Sequence, residues 1–167
     1  MASPTEKAAQ VSRFGKIPLL PACAMIALTL IGIVDAAYVA RGSYAGAPLW
    51  CPILDGCNTV INSPYSRVFG VPMSYFGFIY YVFMFGLAAR LAYEPTSKSL
   101  RFRVVLYAAL GAVSSAYFIY LQLGLIQAIC SYCIISAIVS FLLLLAALWH
   151  FRVTRSNQIR QDNALYS

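Results

Sequence analysis

The sequence predicts an all-α membrane protein, a four-transmembrane-helix bundle with a long external loop that carries a short amphipathic helix. Three observations predict it. Hydrophobic residues make up 61% of the 167-residue chain and charged residues 10%, too apolar and too sparsely charged for a soluble domain of one domain's length. The apolar residues gather into four runs, each long enough to cross a hydrocarbon core of about 30 Å, which takes roughly 20 helical residues. The basic residues gather in alternate connections between those runs, and so on one side of the membrane.

Residues 1–16 form a polar tail with Lys7, Arg13 and Lys16. The first span is Ile17–Tyr38, whose apolar stretch exceeds the roughly 7–15 residues of a cleaved signal core and reads as a retained helix. Within it, Cys23 reads as a small buried hydrophobe. Asp35, near the external end, reads either as an acid in the headgroup region or as an aid to proton uptake at membrane depth. The external loop, about 39–71, is far longer than a helix–helix turn requires. Asp55 and Gly56 read as its turn, and Asn58–Asn62 as one or two helical turns ended by Ser63-Pro64.

The second span, Pro72–Leu91, is stopped by Glu94-Pro95 in a short connection. The third, Val104–Leu125, carries Tyr117 and Tyr120 deep enough to line a cavity. A bare turn near Gln122–Gln127 leads to the fourth span, Ile129–Trp149, after which His150 reads as a boundary residue. The transmembrane domain is thus 17–151, followed by a polar tail over 152–167. Gly32, Gly77, Gly86 and Gly111 read as points of close helix approach.

The net charge of +7 does not indicate nucleic acid. Lys7, Arg13, Lys16, Arg90, Lys98, Arg101, Arg103, Arg152, Arg155 and Arg160 are ten of the twelve basic residues, leaving Arg41 and Arg67 for the other side. The positive-inside rule puts both termini and the middle connection in the cytoplasm. No basic patch with interleaved aromatics remains.

That topology sets Cys51 and Cys57 in the external loop and Cys130 and Cys133 at the external start of the fourth span, facing an oxidising compartment. Four thiolates could hold zinc, but one pair alone has the Cys-x-x-Cys spacing of a zinc knuckle, so no metal is expected. A structural staple is open too, yet Cys-x-x-Cys at a helix start constrains little. Redox exchange fits the setting better. Helix N-termini stabilise thiolates, and each exchange needs a neighbouring pair to receive it. One pair in water and one at the membrane suggest a relay from a soluble dithiol through the loop and helix pairs to a lipid-soluble quinone. A disulfide-stapled, non-catalytic membrane scaffold is the alternative of another class.

The segments Cys57-Asn-Thr-Val-Ile-Asn-Ser-Pro-Tyr65, Phe69-Gly-Val-Pro-Met-Ser-Tyr-Phe-Gly77 and Cys130-Ser-Tyr-Cys-Ile-Ile-Ser-Ala137 resemble the vitamin K epoxide reductase family, in particular its prokaryotic disulfide-forming branch. The resemblance covers roughly Leu19 to Trp149. It implies an inner-membrane enzyme that passes electrons from a periplasmic thioredoxin-fold (DsbA-like) protein to ubiquinone or menaquinone. Carried over residue by residue, it implies that Cys51 exchanges with the partner, Cys57 passes electrons to Cys130, and Cys133 contacts the quinone. It also implies quinone contacts at Met73, Ala137, Ser63 and Phe76. Met73 and Ala137 stand where the animal branch has an Asn and a Tyr as hydrogen-bond donors, which argues against vitamin K epoxide reduction and for simple quinone reduction. Prokaryotic members that carry a fused thioredoxin-like domain extend further, so the donor is expected to be a separate protein. Reversed flow, from quinol outward, would use the same residues.

Overall fold

In lipid, a spanning segment has no water to satisfy its peptide groups, so apolar runs of this length close their hydrogen bonds internally as helices. The computed structural model describes residues 19–46, 48–51, 56–95 and 97–165. The tail over 1–16 and the turn at Asp55 lie outside them.

Four long helices form the bundle: α1 (Leu19–Ala45), α3 (Met73–Tyr93), α4 (Lys98–Leu121) and α5 (Ser131–Leu165). All four are long and apolar enough to cross a membrane. The chain is a multi-pass, all-α membrane protein. Between α1 and α3 lie the short helix α2 (Cys57–Ile61), a 3₁₀ turn at Pro64–Ser66 and a small antiparallel hairpin of β1 (Arg67–Val68) and β2 (Val71–Pro72). The hairpin turns through Phe69 and Gly70, both at positive φ (51° and 82°).

Two helices outrun their expected ends. The first was expected to stop at Tyr38 but continues to Ala45, and the last was expected to stop at Trp149 but continues to Leu165. Hydropathy marks where apolar surroundings end, whereas a helix ends at a Pro, a Gly cap or a competing side chain. No proline occurs in 150–165, so the polar stretch expected as a tail is helical. By contrast α3 ends at Tyr93 beside Glu94-Pro95, as its breaker dictates.

Helix α1 packs along α3 and α5, and α4 packs along α5, while α3 and α4 touch much less. One end of the bundle is closed. There Ala22, Met25, Met84, Ala88, Leu91, Val104, Ala108, Leu143 and Ala147 form a continuous buried core. His150, expected at a boundary, is fully buried at this end. The outer faces carry exposed Leu20, Ile31, Val34, Phe102, Leu106, Val113 and Leu145, a surface suited to lipid. Cys23 lies on that exposed face and is not the buried residue expected.

Candidate active site

The loop end of the bundle is held together by side chains that imitate backbone. The Leu49 N–H donates to Asn58 Oδ1 (2.8 Å), and Asn58 Nδ2 donates back to the Leu49 carbonyl (3.2 Å). This clamp fixes the segment Pro48–Cys51 beside α2, and Cys51 and Cys57 form a disulfide across it. The Tyr132 hydroxyl donates to the Trp50 carbonyl (2.8 Å), tying α5 to the same segment. Gly56 rests directly on the residue before Cys130: a Cβ there would fall 2.6 Å from the Ile129 carbonyl oxygen. Any larger residue would push the loop disulfide away from the helix thiols.

As a result, Cys57 and Cys130 are both fully buried in one small cluster with Leu49 and Val60, with Cys51 and Cys133 packed against it. All four thiols expected to act together are brought together. Cys51–Cys57 is oxidised, while Cys130 and Cys133 are free thiols. Cys130 immediately precedes α5, and its N–H donates to Gln122 Oε1 (2.9 Å). Gln122 opens the π-helical turn Gln122–Ile126, which ends at Gln127 in the left-handed region (φ 53°). The bare turn expected here is therefore a wound element that sets the height of Cys130. The Cys130 thiol is held below its ordinary value because the Cys133 S–H donates to it; burial opposes this, and the N–H groups of Cys133 and Tyr132 add to it.

Cys133 faces the other way, into a cavity of about 460 Å³ inside the loop half of the bundle, between the lightly touching α3 and α4. Val60, Ile61 and Ser63 lie along it from the α2 side, and Met73 and Phe76 from the start of α3. The Ser63 hydroxyl donates to the Val60 carbonyl (2.7 Å), so it also caps α2. Ala137 is buried outside the lining, whereas its neighbour Ser136 and Ser140 are on it. Tyr117 and Tyr120, deep enough in the sequence to be candidates for the lining, are exposed and lie outside it. The tyrosines of the cavity are Tyr80, Tyr81 and Tyr107 deep in the bundle and Tyr65 and Tyr132 toward the loop.

Those rings are closely ordered. Tyr80 stacks on Tyr107 (4.9 Å, 15°) and meets Tyr81 edge-on (5.1 Å, 73°). The Tyr81 hydroxyl donates to the Ser136 carbonyl (2.9 Å) and lies 2.8 Å from Ser136 Oγ and 3.1 Å from Ser140 Oγ. Gly32 leaves room for the Tyr81 ring and Gly111 for the Tyr80 hydroxyl, so these two glycines accommodate rings and not the helix backbones expected. Ser74 Oγ and the Tyr80 hydroxyl are buried and have no hydrogen-bond partner among the described residues. Phe76, Ile79 and Leu110 line the cavity and are also exposed on the outer face.

The model for the vitamin K epoxide reductase family matches residues 23–148. The chain belongs to this family. The chain is also similar to the thiol-disulfide oxidoreductase LTO1 of Arabidopsis thaliana, 33% identical over 134 residues. That alignment covers 76% of this chain and 36% of the relative, so the chain spans about a third of the curated protein it matches.

The cavity suits a quinone. Flat aromatic walls match a ring, and the two unpartnered hydroxyls are donors of the kind that carbonyl oxygens accept. Among the described residues no group of His, Cys, Asp and Glu gathers as a metal site. Asn58, Gln122, Tyr132 and the Tyr81–Ser136–Ser140 cluster carry much of this geometry and were not singled out from sequence. The spacing of Ser136 and Ser140, three and seven residues after Cys133, was the available signal for one helix face.

Proposed function

We propose that the chain is a quinone-dependent thiol oxidoreductase that oxidises a thioredoxin-fold protein on the outer side of the inner membrane. Both termini lie in the cytoplasm, and the four thiols face the compartment where the donor is found. The observation that carries this reading is the position of the helix pair: Cys130 packs with Cys57, while Cys133 lines the cavity.

The chemistry follows as exchange. A donor dithiol reduces the Cys51–Cys57 disulfide and leaves as a disulfide, with Cys51 the more accessible of the two sulfurs. Cys57 then exchanges with the helix pair through Cys130, so the loop is reoxidised and Cys130 and Cys133 become thiols. An oxidised loop with a reduced helix pair is that intermediate stage. Quinone, as substrate, takes two electrons from the helix pair, and Cys130–Cys133 closes as a disulfide. Cys133 presents sulfur to the cavity, the stacked Tyr80–Tyr107 pair forms one wall beside the ring, and Ser74 and Tyr80 offer hydrogen bonds.

The test is reduction of ubiquinone and menaquinone analogues by purified protein with a dithiol donor. Cys133→Ser is expected to lower turnover at least about a thousandfold while the loop disulfide still exchanges with dithiothreitol. Wild-type turnover in that variant would remove Cys133 from the role. Inert thiols that ignore donor and quinone alike would favour the stapled scaffold.

A further inference from the structure

Thiol exchange leaves the carboxyl of the cavity unused. Asp35 lies in the interior of α1, ten residues before its end at Ala45, or about 15 Å along the axis. Asp35 lines the cavity with Cys133, Tyr81, Tyr132 and Ser136. Among the described residues it is the only carboxyl on the wall, and no Lys, Arg or His faces it there. A carboxyl at membrane depth without a cation is costly, and such groups are kept where protons move.

The proposed reaction needs such a group. Closing the Cys130–Cys133 disulfide releases two electrons and two protons, and turning a quinone into its quinol takes up two of each. The sum closes, but the protons leave sulfur and must arrive at oxygen. The Tyr81, Ser136 and Ser140 hydroxyls are already engaged with one another. We propose that Asp35 is the proton carrier of the cavity: its carboxylate accepts each proton released from the helix thiols and its acid form delivers it to a quinone oxygen. Over one turnover one S–S bond and two O–H bonds form, two S–H bonds break, and Asp35 returns to its starting state. This inference rests on the quinone reading above.

The test uses the full chain in lipid nanodiscs, with dithiothreitol as donor and short-chain ubiquinone and menaquinone analogues, over a pH series. Asp35→Asn is expected to lower kcat for quinone reduction about a hundredfold and to flatten its pH profile. KM for the analogue and exchange of dithiothreitol with the loop disulfide, followed by mass-shift alkylation, stay near wild type. Asp35→Glu restores most of the rate. Wild-type kcat and pH profile in D35N overturn the proposal. So does an equal loss of loop exchange, or a rise in KM that accounts for the whole effect, because either marks a structural role. If the wild type reduces neither analogue, the quinone reading fails and this inference fails with it.

Discussion

The two ends of the bundle are built from the same greasy alphabet and behave differently. At the closed end, alanines alternate with single large side chains: Ala88 and Ala108 beside Met84 and Val104, Ala147 beside Leu143. Large meets small, and the helices close to interior density. Toward the loop end, Tyr80 of α3 stacks on Tyr107 of α4, while Tyr81 turns to Gly32 of α1 and to Ser136 and Ser140 of α5. Glycines admit the rings, but the rings keep α3 and α4 apart and leave a cavity of about 460 Å³. The contrast teaches that hydrophobicity puts both ends in the membrane, while the placement of bulk decides which end holds a ligand.

Substitutions at each end break or sharpen this contrast. The largest stability effect is expected at the closed end, where Leu143→Ala removes a fully buried side chain and should cost about 2–5 kcal/mol, read by denaturant titration. Quinone reduction per folded molecule should be unchanged; a selective loss of turnover would show that the ends are not separable. At the loop end the sign of the comparison reverses. Asn58→Ala removes two hydrogen bonds worth about 1 kcal/mol each, so the fold should weaken little. Yet electron handover from the loop pair to Cys130 should slow about tenfold in single-turnover quench experiments, because the clamp on Cys51 is lost. Handover at the wild-type rate would assign the loop geometry to Gly56 and Tyr132 instead.

The smallest effect is a displacement in pH. Exchange runs through the thiolate, whose fraction falls as pH falls through the thiol's pKa. Cys130 is held below its ordinary value, so its alkylation should persist to lower pH than that of a free thiol before declining. Cys133→Ala removes the main donor and should move that decline to higher pH. An unmoved profile would transfer the effect to the N–H groups that begin α5.

Much of this was legible in the sequence, for definable reasons. The four cysteines, the order of helices and the Glu94-Pro95 stop are marked by residue chemistry that acts wherever it sits. The cavity walls are not marked in that way. Lipid and core are both apolar, so α3 and α4 are hydrophobic on every side, and no amphipathic stripe tells which face turns inward. Tyr117 and Tyr120 were therefore as plausible as Tyr80 and Tyr107. Asn58 escaped notice because its value lies in a partner nine residues away, Leu49, that spacing alone does not nominate. For Asp35 the sequence left a headgroup position and proton uptake both open, because hydropathy does not tell which side of α1 turns to the cavity.

Phe76, Ile79 and Leu110 belong to the cavity wall and to the outer surface at once. The chamber therefore has a side window onto the acyl chains. A substrate with a flat head and a long isoprenoid tail can lodge its head among the tyrosines and leave the tail in the bilayer. On the quinone reading proposed above, such a site would gauge rings and be blind to chain length.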